Sequence, residues 1–182
     1  MSAKYSFRFE SRDRKRALPG SIIIAQHDNE TIAQVALKVL GFMLFYRERL
    51  QIEGDVHNDS IPFQPDLLWL DYEMRPKLWI ECGECGVSKL NKLAVKAHEA
   101  EIWVLKRSLA QAEELLAAMG KEELRRGRYS VLAFDHEMFD ELCGLISPRN
   151  EIVWFGGNFE LARMQFDFNE LWFDSAFTVL RF

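Results

Sequence analysis

Apolar and polar residues alternate over residues 4–10, with Tyr5, Phe7 and Phe9 on one side, as in a half-buried strand. Ser21–Ala25 reads as a second strand and runs into His27, Asp28, Asn29, Glu30 and Thr31. Apolar residues then recur at Ile32, Val35, Ala36, Val39, Leu40, Met43 and Leu44, one face of a helix expected to reach about Leu50. Asn29 or Asp28 is the expected N-cap. After a polar loop at 53–64, Asp66–Asp71 and Lys77–Cys82 are expected to pair as strands around a turn at Tyr72–Pro76. Gly83 and Gly86 end that segment. Ser88 is then the expected cap of a helix whose apolar face is Leu90, Leu93, Ala94 and Ala97.

Glu101–Leu105 is again strand-like, and a strand–helix–strand run of this spacing is a crossover that makes a parallel pair. A helix near 109–127, a strand at 129–134 and a helix at 136–146 follow. Gly156, Gly157 and Asn158 are expected to turn a hairpin between Ile152–Phe155 and Phe159–Arg163. From Ser21 the order is βα-ββ-α-β-α-β-α-ββ, which predicts an α/β protein with a mixed β-sheet flanked by helices. No repeat, low-complexity tract or Gly/Ser linker breaks the chain, so one domain over 1–182 is expected, with an aromatic C-terminal extension at about 166–182. A dinucleotide site is not supported, because no G-x-G-x-x-G opens a helix after a strand.

Composition narrows the class. A chain of 182 residues with 48% hydrophobic content, 10 glycines and 5 prolines is globular, not disordered or fibrous. No apolar run of about 18 residues is present, and residues 1–16 lack the apolar core of a secretory signal. Three cysteines argue against a disulfide framework, so a reducing, cytoplasmic setting is expected. The net charge of −5 disfavours nonspecific nucleic-acid binding over the whole surface. Basic residues nonetheless bunch at Arg12, Arg14, Lys15 and Arg16, at Lys89, Lys92 and Lys96, and at Lys121, Arg125, Arg126 and Arg128. These are either solvated faces or a local basic groove.

Asp66 and Glu81 stand at the ends of the two hairpin strands. If Asp71 pairs with Pro76, Asp66 falls opposite Glu81 on one face, with Cβ atoms about 5 Å apart; a slip of one residue separates them. Paired, they suit a hard divalent cation such as Mg²⁺, which would activate water and offset charge on a phosphodiester. Two solvated acids at strand ends are the alternative. Lys89, Lys92 and Lys96 fall within about a 60° arc of the next helix, flanking its apolar face, so one of them can lean toward Glu81. Glu30 opens the first helix either as a further oxygen ligand or simply in favourable contact with the helix dipole.

Taken together these residues resemble the YaeQ family, a variant of the PD-(D/E)XK nuclease fold. The resemblance lies in His27-Asp28-Asn29-Glu30-Thr31 opening a long helix, Tyr46-Arg47-Glu48-Arg49-Leu50, Pro65-Asp66, and Leu78-Trp79-Ile80-Glu81-Cys82-Gly83. It covers roughly residues 20–165 and is strongest over 27–105. It implies a restriction-endonuclease-like core with a C-terminal β-hairpin, and Mg²⁺ or Mn²⁺ held by Asp66 and Glu81. It further implies a helical lysine, Lys92, in place of the usual one two residues after the glutamate, where Gly83 stands. Glu30 would be the N-terminal acid of the catalytic set. Asp28-Asn29, where the family more often has Pro-Ser, and the cysteines flanking Gly83 depart from the pattern.

The function expected is a metal-dependent phosphodiesterase acting on nucleic acid. A catalytically inactive member that binds nucleic acid or a protein partner is the alternative, with Trp172, Phe173, Phe177 and Phe182 either its surface or packed on their own domain. A third reading is a thiol redox protein using Cys82 and Cys85, since a thiol pair between a strand and a helix is the placement of a redox motif.

Overall fold

The computed structural model describes residues 2–182. Its elements are β1 (Ala3–Ser11), β2 (Ser21–Gln26), α1 (Ile32–Phe45), β3 (Gln51–Ile52), β4 (Leu67–Leu70), β5 (Pro76–Cys82) and α2 (Val87–Lys96). They continue with β6 (Glu101–Lys106), α3 (Leu109–Lys121), β7 (Tyr129–Phe134), α4 (His136–Leu145), β8 (Arg149–Asn158), β9 (Arg163–Phe168) and β10 (Leu171–Arg181). The protein is of the mixed α/β class. Among the described residues no helix is long and apolar enough to cross a membrane.

The chain forms two compact units. The first takes the chain up to Tyr46 with Phe134–Thr178. Its sheet runs β2-β1-β8-β9-β10, with β1 and β8 parallel and the other pairs antiparallel. One face buries Phe7, Ile152, Trp154, Phe166, Phe168 and Phe173, and α1 and α4 pack in the same unit. Helix α1 is capped by Thr31, whose N–H donates to the Gln34 side chain at 2.9 Å, so the cap lies beyond the expected Asp28 or Asn29. The helix also ends five residues short of Leu50. Its last carbonyls, of Met43 and Leu44, are taken by the Arg16 guanidinium, which closes the helix there.

The expected hairpin around Gly156 and Gly157 is corrected. Both glycines lie inside β8, paired with β9 through a bulge between Trp154 and Gly156, and the turn is residues 159–162. Gly157 is required for packing: a Cβ there would lie 2.5 Å from the indole of Trp154, which is wholly buried. Of residues 166–182, 166–168 end β9 and Leu171–Arg181 form β10, which pairs with β9 over Leu171–Ala176.

The second unit holds Arg47–Ala133 with Val179–Phe182. Strands β3, β4 and β5 pair antiparallel, and β5, β6 and β7 pair parallel through the crossovers α2 and α3. Trp79, Leu90, Leu93, Ala94, Val104, Ala112, Met119 and Val131 form its core. Helix α2 starts two residues before the expected cap, at Gly86 instead of Ser88, and α3 stops at Lys121, not 127.

Gly157→Ala is expected to cost about 1–3 kcal/mol, the range for forcing a methyl group into a packed core. Gly156→Ala meets nothing within 4 Å and is the control, expected within about 1 kcal/mol of the parent. Urea denaturation of the two variants measures both.

Candidate functional site

The hairpin β4–β5 sets the site. Leu67 pairs with Ile80, Leu68 with Trp79 and Trp69 with Leu78, so the paired ladder ends at Leu67, one residue short of Asp66. Continued by one step, this register would set Asp66 against Glu81. The turn closes differently from expectation: Leu70 pairs with Pro76 through a bulge after Trp69, and Asp71 N–H donates to Arg75 O at 3.0 Å. The Asp71 carboxylate accepts from the N–H groups of Glu73 and Arg75, both at 2.9 Å, and the Arg75 N–H holds its pKa below the usual carboxylate range. The shift is absorbed at the turn and does not reach the acids.

The segment Arg47–Leu50 buttresses this hairpin. Glu48 O accepts from Trp69 Nε1 at 3.0 Å, Arg49 donates to Leu70 O, and the Arg47 and Arg49 guanidinium groups lie over Trp69 and Tyr72. These residues fix the strand that carries Asp66.

Glu81 is only 4% exposed. Its Oε1 accepts from Trp79 Nε1 and from Lys89 Nζ, both at 2.8 Å. Trp79 reaches it because residues two apart on a strand share a face. Asp66 immediately precedes β4; its Oδ2 accepts from Cys82 N–H at 2.7 Å, and its own N–H donates to Ile80 O at 3.1 Å. Gly83 follows with φ +86°, a conformation that glycine adopts without strain and a lysine does not. Gly83 O accepts from Lys106 Nζ at 2.7 Å, on the parallel neighbour β6, and burial pushes the Lys106 pKa down.

The helical lysine that meets Glu81 is Lys89. Lys92 is exposed on the next turn, and Lys96 donates instead to Ser60 O at 2.5 Å. Glu30 belongs to the first unit, where its Oε1 pairs at 2.7 Å with the wholly buried Lys38 and its Oε2 accepts from His27 N–H.

Cys85 reports the field of the cluster. Burial, then the charges of Glu81 and Asp66, push its thiol pKa up to about 12, against the opposing pull of Lys89 and Lys106. Both acids and both lysines thus act on one point. A reactive thiol needs the opposite shift, so Cys85 is not poised as a nucleophile.

The YaeQ protein family model matches residues 2–153. The chain belongs to the YaeQ family. Uncharacterized protein YaeQ of Escherichia coli (strain K12) is 28% identical over 102 residues, 54% of this chain and 53% of that protein. Its counterpart in Shigella flexneri matches to the same extent. The match thus spans about half the length of these curated relatives. The crystal structure of the YaeQ protein from Pseudomonas syringae superposes with a TM-score of 0.74 at 19% identity, covering 100% of this chain and 97% of that one. That from Xanthomonas axonopodis pv. citri gives 0.68 at 22%, covering 99% and 97%. At such identities the likeness is one of fold, and this YaeQ-family chain shares it along nearly its whole length.

Lys89→Met removes the cation from a buried carboxylate and is expected to cost about 1–3 kcal/mol in urea denaturation, whereas Lys92→Met should stay within about 0.5 kcal/mol. Cys85 should resist iodoacetamide at pH 8, where its thiol stays protonated. Unfolding returns that thiol toward its ordinary pKa of 9.0. Its contribution to stability is therefore complete below pH 9 and is lost as pH climbs toward about 12. Iodoacetamide labelling in the folded chain as quickly as in urea at pH 8 would contradict the raised pKa.

Proposed function

We propose that this YaeQ-family chain is a divalent-cation-dependent phosphodiesterase acting on nucleic acid, built on a PD-(D/E)XK-like core. Asp66 and Glu81 are the metal ligands and Lys89 the cation beside them. The observation that carries this reading is the geometry of Glu81: a buried carboxylate whose Oε1 is pinned by both Trp79 and Lys89, with Asp66 held beside the end of β5 by the Cys82 N–H. Pinning one oxygen orients the other. Two carboxylates are the donor set that Mg²⁺ or Mn²⁺ takes while keeping several waters. A cation held there would supply an activated water and neutralise charge on the phosphodiester.

The chain's own residues do the rest. Lys89 holds Glu81 in place and puts positive charge beside developing phosphorane charge. Water oxygen attacks phosphorus and gives up a proton to solvent, the P–O bond to the leaving nucleotide breaks, and the departing oxygen takes a proton from solvent. Glu30 remains a candidate acid through the family resemblance, although Lys38 and His27 already engage its oxygens. A second reading, a silent member that binds nucleic acid or protein without cleaving it, is favoured by the loss of the motif lysine to Gly83.

Labelled single- and double-stranded DNA and RNA, incubated with the purified chain and Mn²⁺, test the proposal. Cleavage is expected, falling at least roughly 100-fold in Glu81→Ala and in Lys89→Ala and little in Lys92→Ala. Cleavage that survives Glu81→Ala refutes the site, and binding without cleavage at either metal establishes the second reading.

A further inference from the structure

Residues 53–64 form a loop between β3 and β4, and its contacts converge on one side chain of the acidic site. At its base, Gln64 Nε2 donates to Glu53 O at 2.9 Å. Toward its tip, Asn58 Oδ1 accepts from Ser60 N–H and Oγ–H at 3.0 and 2.7 Å, and Lys96 ties Ser60 O to α2. Between these two anchors, Phe63 packs against the core of the second unit and turns its ring to Lys89, whose Nζ lies 5.5 Å from the ring centroid. The same Nζ is 2.8 Å from Glu81 Oε1. One ammonium is therefore shared between a carboxylate and the negative face of an aromatic ring.

We propose that the loop 53–64 is a strap across α2 and that Phe63 is the positioning residue by which it holds Lys89 on Glu81. The inference deepens the phosphodiesterase reading and rests on it for its catalytic consequence. A lysine has a flexible four-carbon stem, so a carboxylate alone fixes its charge without fixing its direction. A ring beside it gives the ammonium a second contact and so narrows the positions it can take. The strap's other anchor, Lys96 on Ser60 O, keeps Phe63 at the right height along the helix. Phe63 acts through Lys89.

The test compares Phe63→Leu, which keeps apolar bulk but removes the ring, with Phe63→Tyr, which keeps the ring. Lysines are converted to ¹³C-dimethyl-lysine, which retains the positive charge, and the Lys89 signal is assigned by its loss in Lys89→Arg. An upfield ring-current shift of that signal is expected in the parent chain and in Phe63→Tyr, and its disappearance in Phe63→Leu. In Mn²⁺-dependent cleavage, kcat is expected to fall roughly 10- to 100-fold in Phe63→Leu, the range for a residue that orients a metal ligand's partner. KM should stay within about twofold, and Phe63→Tyr should restore the rate. A Lys89 signal at the ordinary lysine position in the parent chain, or one unmoved by Phe63→Leu, overturns the strap. A rate loss that tyrosine does not restore also overturns it. A parent chain that cleaves nothing but shows the shifted signal, lost in leucine and kept in tyrosine, supports the strap and removes the phosphodiesterase reading instead.

Discussion

An acid side chain almost out of water needs donors and a cation around it, since a buried charge without them carries a penalty of several kcal/mol. Glu81 is such a side chain, and the second unit is arranged to meet that need. Strand β5 places Trp79 on the same face two residues earlier. Helix α2 brings Lys89 to the same oxygen. The β4–β5 ladder brings Asp66 alongside, where it accepts from the N–H of Cys82. Moving the ladder by one residue would turn Glu81 and Trp79 together to the other face. The bulge after Trp69 is therefore consequential: it lets the turn close on Asp71 and Arg75 without passing a slip to the acid end.

The same requirement governs the cations elsewhere in the chain. Arg16 stands among four basic residues in sequence, but it caps the C-terminal carbonyls of α1, lies over Trp154, and has its pKa lowered by burial. Arg128 donates to the carbonyls of Ala94, Ala97 and Ala100 at the end of α2. Lys106 holds Gly83 O. Each satisfies backbone acceptors that a helix end or strand end leaves open. The basic bunches are thus not uniform faces: Arg16 and Arg128 serve the fold, while Arg14, Lys15, Arg125 and Arg126 remain at the surface.

Much of this was legible because burial imposes a period. The alternation of β1 follows from one-sided burial, and the continuous apolar runs of β5 and β6 around α2 follow from burial on both faces of a parallel pair. Helix α1 is buried on every side from Val35 to Phe45, so its apolar stripe marks only part of what it buries. What escaped was governed by single contacts without a period. Two adjacent glycines followed by asparagine read as a turn, yet Gly157 is there because Trp154 occupies the space of its Cβ. Helix α1 stops where Tyr46 leaves the helical conformation, and a distant arginine satisfies the carbonyls left open there. Phe63 carried no signal at all: an aromatic in a polar loop gains meaning only when the loop's fold brings it to Lys89.

The choice between Lys89 and Lys92 belongs to the same class, and helix geometry explains its outcome. Side chains on an α-helix tilt toward its N-terminus. Gly86 caps α2, so Lys89 is its third residue and leans back toward the end of β5, where Glu81 stands. Lys92 lies three residues further on, about 4.5 Å along the axis, and must recover that distance as well as the rotation between the two positions. Counting angular positions alone makes the two lysines nearly equivalent. The start of the helix separates them, and the start depends on Gly83 turning left-handed immediately after the strand. The left-handed Gly83 thus lets the chain turn from β5 into α2, and α2 returns Lys89 to Glu81.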